Sequence, residues 1–180
     1  MSFDECYIKS VMRTIPDWPE PGVMFRDITP LFKDPKALRM IADSFIQRYI
    51  DTEVTHIASI DARGFLFGSI MAYQLNIPLV LVRKKGKLPG KTIHREYALE
   101  YGTAAVEMQV DAVAEGDKVL IFDDLIATGG TILAASTIIK ELGAEVYEAA
   151  ALIDLPDLHG SELIQQAGIP VYTLLAYEGL

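Results

Sequence analysis

Two adjacent acids, Asp123 and Asp124, close an apolar run and are followed within a few residues by two adjacent glycines, Gly129 and Gly130, and by Thr131. In VLIFDDLIATGGT, residues 119 to 131, the apolar run has the length of a buried strand, and a helical pattern starts near Thr131. A Gly-rich turn between strand and helix lets an anion approach the backbone, because no side chain stands in the way. The N–H groups of Ala127, Thr128, Gly129, Gly130 and Thr131 are therefore expected to converge on a phosphate, aided by the helix N-terminus and the hydroxyls of Thr128 and Thr131. Standing alone, the glycines would equally suit a tight turn without a ligand. The aspartates narrow the choice. A P-loop places a Lys directly after its glycines, and this loop has none. Carboxylates next to a phosphate repel it unless they face something else. They can accept hydrogen bonds from ribose hydroxyls and hold Mg²⁺ through its waters, which suits a sugar phosphate.

A second anion-binding segment is written in charge. Arg83, Lys84, Lys85, Lys87, Lys91 and Arg95 are six of the sixteen basic residues and have no acid among them, in a chain of net charge −9. A solvated basic loop is the plainer reading of the same cluster. The overall acidity, with an isoelectric point near 4.8, argues against general affinity for nucleic acid or anionic membrane. His56, His94 and His159 have no metal-ligand spacing, and Cys6, the single cysteine, has no internal partner. The start, MSFDECYIKS, does not resemble a signal peptide, and no apolar run reaches the roughly 18 residues that span a bilayer, so a cytoplasmic protein is expected.

These residues need a scaffold. At 180 residues, 51% of them apolar, the chain can bury roughly 70% of its unfolded surface in one domain. Asp34 and Pro35 are an N-cap and first-turn signal, and Leu38, Ile41, Ala42, Phe45, Ile46 and Tyr49 follow at helical spacing. Ile8, Val11, Met12 and Ile15 predict a shorter helix ending before Pro16. Trp18 lies in the Pro-rich loop PDWPEPG and is expected to anchor it by burial. From residue 55 the apolar runs HIASI, PLVLVR, KVLIFDD and VYEAAALIDL alternate with helical patterns. The fold class predicted is α/β, a mainly parallel twisted sheet with helices on both faces. YALEYG and AAVEMQV form a candidate strand pair behind a mobile basic loop, and Gly143 and Gly168 sit where helices should end.

The 13 residues ending in ATGGT resemble the phosphoribosyl pyrophosphate motif of type I phosphoribosyltransferases, and PGVMFRDITP, DARGFLFG, RKKGKLPG and YALEYG resemble the adenine-specific branch in order and spacing. That resemblance implies an enzyme that joins adenine to 5-phosphoribosyl 1-pyrophosphate, giving AMP and pyrophosphate, with Mg²⁺ as cofactor and a homodimer as the assembly. It implies an N-terminal helix and base-recognition hood over residues 1–33 and a flexible lid over residues 84–105. Arg63 would bind pyrophosphate beside a non-proline cis peptide near Asp61 and Ala62. Arg83, Lys84 and Lys87 would complete the pyrophosphate site, with Lys91 reaching over from the next subunit. Glu100 would manage the adenine proton, and Tyr101 would help close the pocket. Adenine would meet the backbone of Met24, Phe25 and Arg26, with Phe25 on one ring face and Leu125 and Leu155 on the other.

Two rivals are weighed. Phosphoribosyltransferases for 6-oxopurines commonly carry a Lys on the strand after the phosphate loop, and EVYEAAALIDLPDL has none. A 6-oxo base would also set an acceptor against a backbone acceptor, at a cost of several kcal/mol. A non-catalytic regulator that binds the sugar pyrophosphate should show a basic face, which this acidic chain lacks.

Overall fold

The computed structural model describes residues 3–99 and 102–179. A short helix, α1 (Glu5–Val11), is capped by the Asp4 carboxylate, which accepts the Tyr7 N–H. It stops before Ile15, contrary to the helical spacing. Arg13–Pro16 is a strand, β1, paired antiparallel with β2 (Met24–Asp27), and Ile15 lies opposite Phe25. The pairing supplies backbone partners to a segment that Pro16 prevents from continuing as helix. Trp18 is half exposed rather than buried. It is held by an edge-on contact with the Phe25 ring, with centroids 4.3 Å apart.

The Asp34 signal is obeyed. Its side chain accepts the N–H groups of Lys36 and Ala37, Pro35 occupies the first turn, and α2 (Pro35–Tyr49) buries Ala37, Met40, Ile41, Ala42, Phe45 and Tyr49 on one side. The chain then alternates as β3 (His56–Ile60), α3 (Gly64–Leu75) and β4 (Leu79–Lys84), a hairpin of β5 (Thr92–Ala98) and β6 (Thr103–Gln109), then β7 (Lys118–Ile126), α4 (Gly130–Glu141), β8 (Glu145–Asp154), α5 (Gly160–Gln166) and β9 (Val171–Ala176). Gly143 and Gly168, just past α4 and α5, have φ of +93° and +84°, conformations that favour glycine.

The seven strands run in the order β5, β6, β4, β3, β7, β8, β9, parallel from β4 to β9 and antiparallel where the hairpin joins β4. Both faces of β7 are apolar in alternation. Val119 and Ile121 pack with α4 and α5 residues such as Ile138 and Ile164, while Leu120 and Phe122 pack with α2 and α3. Such two-sided burial is what a continuous apolar strand requires. The hairpin begins earlier than expected. The KTIHREY stretch assigned to a mobile loop is largely β5, with Thr92 opposite Gln109 and Ala98 opposite Thr103. Alternating partly buried residues, among them Ile93 and Tyr97, let it pack against the core. No helix among the described residues is long and apolar enough to cross a membrane.

Candidate active site

Loops leaving the carboxyl ends of β3, β4 and β7 surround a cavity of about 470 Å³, the edge at which parallel sheets bind ligands. Asp61, Ala62 and Arg63 come from the turn after β3, Lys84 from the end of β4, Tyr97 from β5, Asp123, Asp124 and Leu125 from β7, and Thr131 from α4. The two acids lie within β7 rather than at its end, because pairing with β8 continues to Ile126 opposite Asp154. Asp123 Oδ1 accepts the Asp124 N–H at 2.8 Å. Burial first, and then the charge of Asp124, push the Asp123 carboxyl well above its ordinary range.

The arginines pair crosswise. Arg63 Nε donates to Asp124 Oδ2 at 2.5 Å, and Arg83 Nε donates to Asp61 Oδ2 at 3.0 Å. Burial opposes the Arg63 charge, but Asp124 and, behind it, Asp123 and Asp27 raise its pKa above the ordinary value. The peptide between Asp61 and Ala62 is cis. Arg63 is thus on the carboxyl edge of the sheet, where its assigned role needs it.

Beside this cavity, and sharing Asp123, Leu125 and Thr131 with it, lies a cradle of about 80 Å³ completed by Ile126, Ala127, Thr128, Gly129 and Ile132, with Gly130 outside its wall. Its shape is set by glycines. Gly129 has φ +80°, and a Cβ there would stand 2.8 Å from the Gly160 carbonyl oxygen. A Cβ on Gly160 would stand 2.2 Å from the Ala127 oxygen and 2.7 Å from the Gly129 nitrogen, so the two backbones touch. Ser161 Oγ donates to Asp154 Oδ1 at 2.7 Å and ties that contact to the end of β8. A Cβ on Gly130 would reach 3.0 Å from the Tyr97 ring. No side chain among the described residues caps α4, so the N–H groups of its first turn have no side-chain partner there.

A third cavity, about 320 Å³ and mostly apolar, lies between the hood and the end of the chain. Met24, Arg26 and Leu155, three of the residues expected to meet the base, line it together with Val23, Asp157, Leu158 and Tyr177. Phe25 and Leu125 are not in its wall. Leu125 faces the two cavities beside β7, and the Phe25 ring packs between Trp18 and the Arg63 guanidinium, 5.7 Å away, so Phe25 stands where the central and third cavities approach one another. The Arg26 guanidinium stacks on Tyr177 at 4.5 Å and donates to Thr14 Oγ1.

Among the described residues of the basic cluster from Arg83 to Arg95, only Lys84 joins Arg63 in lining the central cavity. Arg83 turns to Asp61 and the Lys87 carbonyl, and Lys87 is exposed on the turn. Glu100 and Tyr101 lie outside the described residues. Tyr97, Gly160 and Tyr177 were not singled out from sequence. Tyr97 carries a weak signal, an aromatic two residues into a strand end beside the basic loop; the other two act through contacts with residues far away in the chain. Among the described residues no group of three or more His, Cys, Asp or Glu is placed to hold a metal ion.

Residues 30–163 match the family model described as phosphoribosyl transferase domain. A protein of Marinomonas sp. (strain MWYL1) named adenine phosphoribosyltransferase is 59% identical over 179 residues, covering 99% of each chain. The crystal structure of adenine phosphoribosyltransferase from Rhodothermus marinus is 43% identical, with a TM-score of 0.89 over 95% of this chain and 97% of that one. The Saccharomyces cerevisiae enzyme, crystallised with an imino-altritol bisphosphate and adenine, is 33% identical with a TM-score of 0.87, over 94% and 97% of the two chains.

Proposed function

The chain belongs to the adenine phosphoribosyltransferases, pentose-transferring enzymes of the phosphoribosyl transferase domain family, and on that premise we propose how its residues carry adenine and 5-phosphoribosyl 1-pyrophosphate to AMP and pyrophosphate. The observation that carries the reading is the glycine cradle standing next to paired carboxylates within β7, continuous with a cavity lined by Arg63 and Lys84. Ala127, Thr128, Gly129, Gly130 and Thr131 hold the 5′-phosphate. Asp123 and Asp124 take the ribose hydroxyls. Arg63, Arg83, Lys84 and Lys87 meet the pyrophosphate, with Arg83 and Arg63 exchanging carboxylate partners for phosphate oxygens.

Adenine enters the third cavity against the backbone of Met24, Phe25 and Arg26, with Leu155 toward the ring and Leu125 and Phe25 at the ribose end. N9 attacks C1′ as the bond from C1′ to the pyrophosphate oxygen breaks, and the ring proton goes to Glu100, with Tyr101 closing over the base. Positive charge builds on the ribose in the transition state. The buried carboxylates face that charge, and the cationic groups receive the leaving one, so catalysis is mainly positional and electrostatic.

The donor set suits Mg²⁺ carried by the substrate. Asp61 and Asp124 are engaged by arginines, and Asp123 and Asp124 are hard oxygen donors that would hold the ion through its waters. When bound, Mg²⁺ offsets charge on the pyrophosphate. The assembly proposed is a homodimer. Helix α3 is apolar on every side yet leaves Leu66 and Tyr73 exposed, the latter at 82%, as a helix does when a partner covers it. Because substrate and product carry phosphates that do not cross a bilayer unaided, the cytoplasm is the proposed site of this salvage reaction.

The test is turnover with adenine, hypoxanthine or guanine, each with 5-phosphoribosyl 1-pyrophosphate and Mg²⁺. AMP should form with a preference of about 10⁴-fold over the 6-oxo bases. Equal use of hypoxanthine, or no turnover with binding intact, would point to one of the two rivals. Glu100→Gln should lower kcat far more than it changes either KM, and an unchanged kcat removes Glu100 from its role.

A further inference from the structure

The six-residue basic cluster contains no acid in sequence, but the fold delivers one. Glu107, in the middle of β6, lies opposite Arg83 in the antiparallel register and is only 3% exposed. Its Oε1 accepts the N–H groups of both Lys87 and Leu88 at 2.8 Å, and its Oε2 accepts the Thr92 hydroxyl at 3.2 Å. The same turn is pinned by Lys85 N–H to the Ala105 carbonyl, by Lys87 N–H to the Lys84 carbonyl, and by Arg83 Nη1 to the Lys87 carbonyl. Among the described residues, no lysine or arginine forms an ion pair with Glu107, although its neighbours in space are the most cationic stretch of the chain. A buried carboxylate that needed a counter-charge would have taken one. This one is spent on backbone.

We propose that Glu107 is a positioning residue for pyrophosphate: its carboxylate clamps the turn from Lys84 to Leu88, so that the cationic side chains on that turn stay available to phosphate oxygens. A cationic side chain could not accept these N–H groups, and a neutral one would bind them less strongly, since charge-assisted bonds are roughly twice as strong as neutral ones. The titration behaviour agrees. Burial pushes the Glu107 carboxyl up, but the N–H groups of Leu88, Gly86 and Lys87 and the Thr92 hydroxyl outweigh it and hold the pKa below the ordinary value. The clamp also reaches Thr92 at the start of β5, so one side chain joins the basic turn to the hairpin whose Tyr97 packs on Gly130.

The inference rests on the reading that this turn meets pyrophosphate while AMP uses the cradle and the base cavity. The experiment therefore measures, by calorimetry on the full chain, the affinity for inorganic pyrophosphate with Mg²⁺ and separately for AMP, together with the two KM values and the melting temperature. Glu107→Ala should weaken pyrophosphate and raise KM for 5-phosphoribosyl 1-pyrophosphate by about tenfold or more, the effect of stranding buried N–H groups. AMP affinity and the KM for adenine should stay within about twofold. Glu107→Gln, which keeps an oxygen for the two N–H groups, should recover most of the loss. Should Glu107→Ala not fold, the glutamine variant decides alone, with a smaller loss again confined to pyrophosphate. Lys84→Ala is the control for the underlying reading. If it leaves pyrophosphate binding unchanged, the turn is not the pyrophosphate site and both ideas fall. If Lys84→Ala weakens pyrophosphate and the Glu107 variants do not, or if they weaken AMP equally, the clamp is merely structural and the proposal is overturned.

Discussion

The cradle after β7 and the basic turn after β4 share one edge of one sheet, yet they are built in opposite ways. The cradle is backbone: it follows a central strand flanked by β3 and β8, and its shape is set by Gly129 lying against Gly160. The turn is side chain: Lys84, Lys85 and Lys87 are exposed, and a carboxylate from β6 joins a few backbone bonds in holding its main chain. Fixed dipoles are preorganised and need no rearrangement. Flexible ammonium groups supply more charge but lose more entropy when they are ordered. The difference matches the two phosphate-bearing groups of the proposed reaction, since one phosphate stays with the product and the other group must be let go.

The sharpest way to break this contrast is Gly160→Ala. Its new Cβ would overlap the Ala127 oxygen, forcing the cradle to shift, and kcat/KM for the sugar pyrophosphate should fall by about 10²-fold or more along with AMP affinity. A loss below threefold would mean that the cradle is as adaptable as the turn. Next comes Lys84→Ala, expected to raise KM for the sugar pyrophosphate by about tenfold at low ionic strength, with the gap narrowing as salt screens the contribution. A gap that stays constant between low and high salt would deny the turn its electrostatic character.

Asp123→Asn sharpens the cradle side through stability. The raised carboxyl means that folding favours the protonated acid: its stabilising contribution is full below the ordinary value of 3.8 and is lost as pH rises through the higher folded value. Asparagine escapes that loss. Its melting temperature should exceed the parent's by a few degrees at pH 8 and converge with it on acidification, while activity falls. A melting gap that ignores pH would refute the cause assigned to the shift. The smallest effect is expected of Tyr97→Leu, which trims the contact with Gly130 and should change kcat/KM by about twofold to fivefold.

Function was legible where chemistry and chain order coincide. The acids and glycines fall within the nine residues from 123 to 131, so local sequence specified the turn and carried the chemistry from which its proposed use is read. Asp34 with Pro35 was legible for the same reason. Other features required partners that sequence order hides. Ile15 fitted a helical spacing, but its pairing opposite Phe25 decided otherwise. The strand carrying Asp123 and Asp124 ran on because β8 continued beside it. Gly160 resembled any turn glycine, although its lack of a side chain is what lets α5 approach the cradle. Glu107 looked like one polar position in an apolar strand, and only the hairpin register brings it under Lys87 and Leu88.

The third cavity is walled on one side by Gly22, Val23, Met24 and Arg26 and on the other by Leu155, Leu158 and Tyr177, and contacts in and beyond its wall brace the two sides. Lys9 Nζ reaches the Ala176 carbonyl at 3.1 Å, the Tyr177 hydroxyl meets Met12 Sδ at 3.5 Å, and Arg26 lies over the Tyr177 ring. The cavity proposed to take the base is therefore walled by residues more than a hundred positions apart in the chain. The proposed phosphate cradle draws on no residue beyond Gly160 for its close backbone contact, so of the two proposed sites it is the base cavity whose completion depends on the stretch after β9.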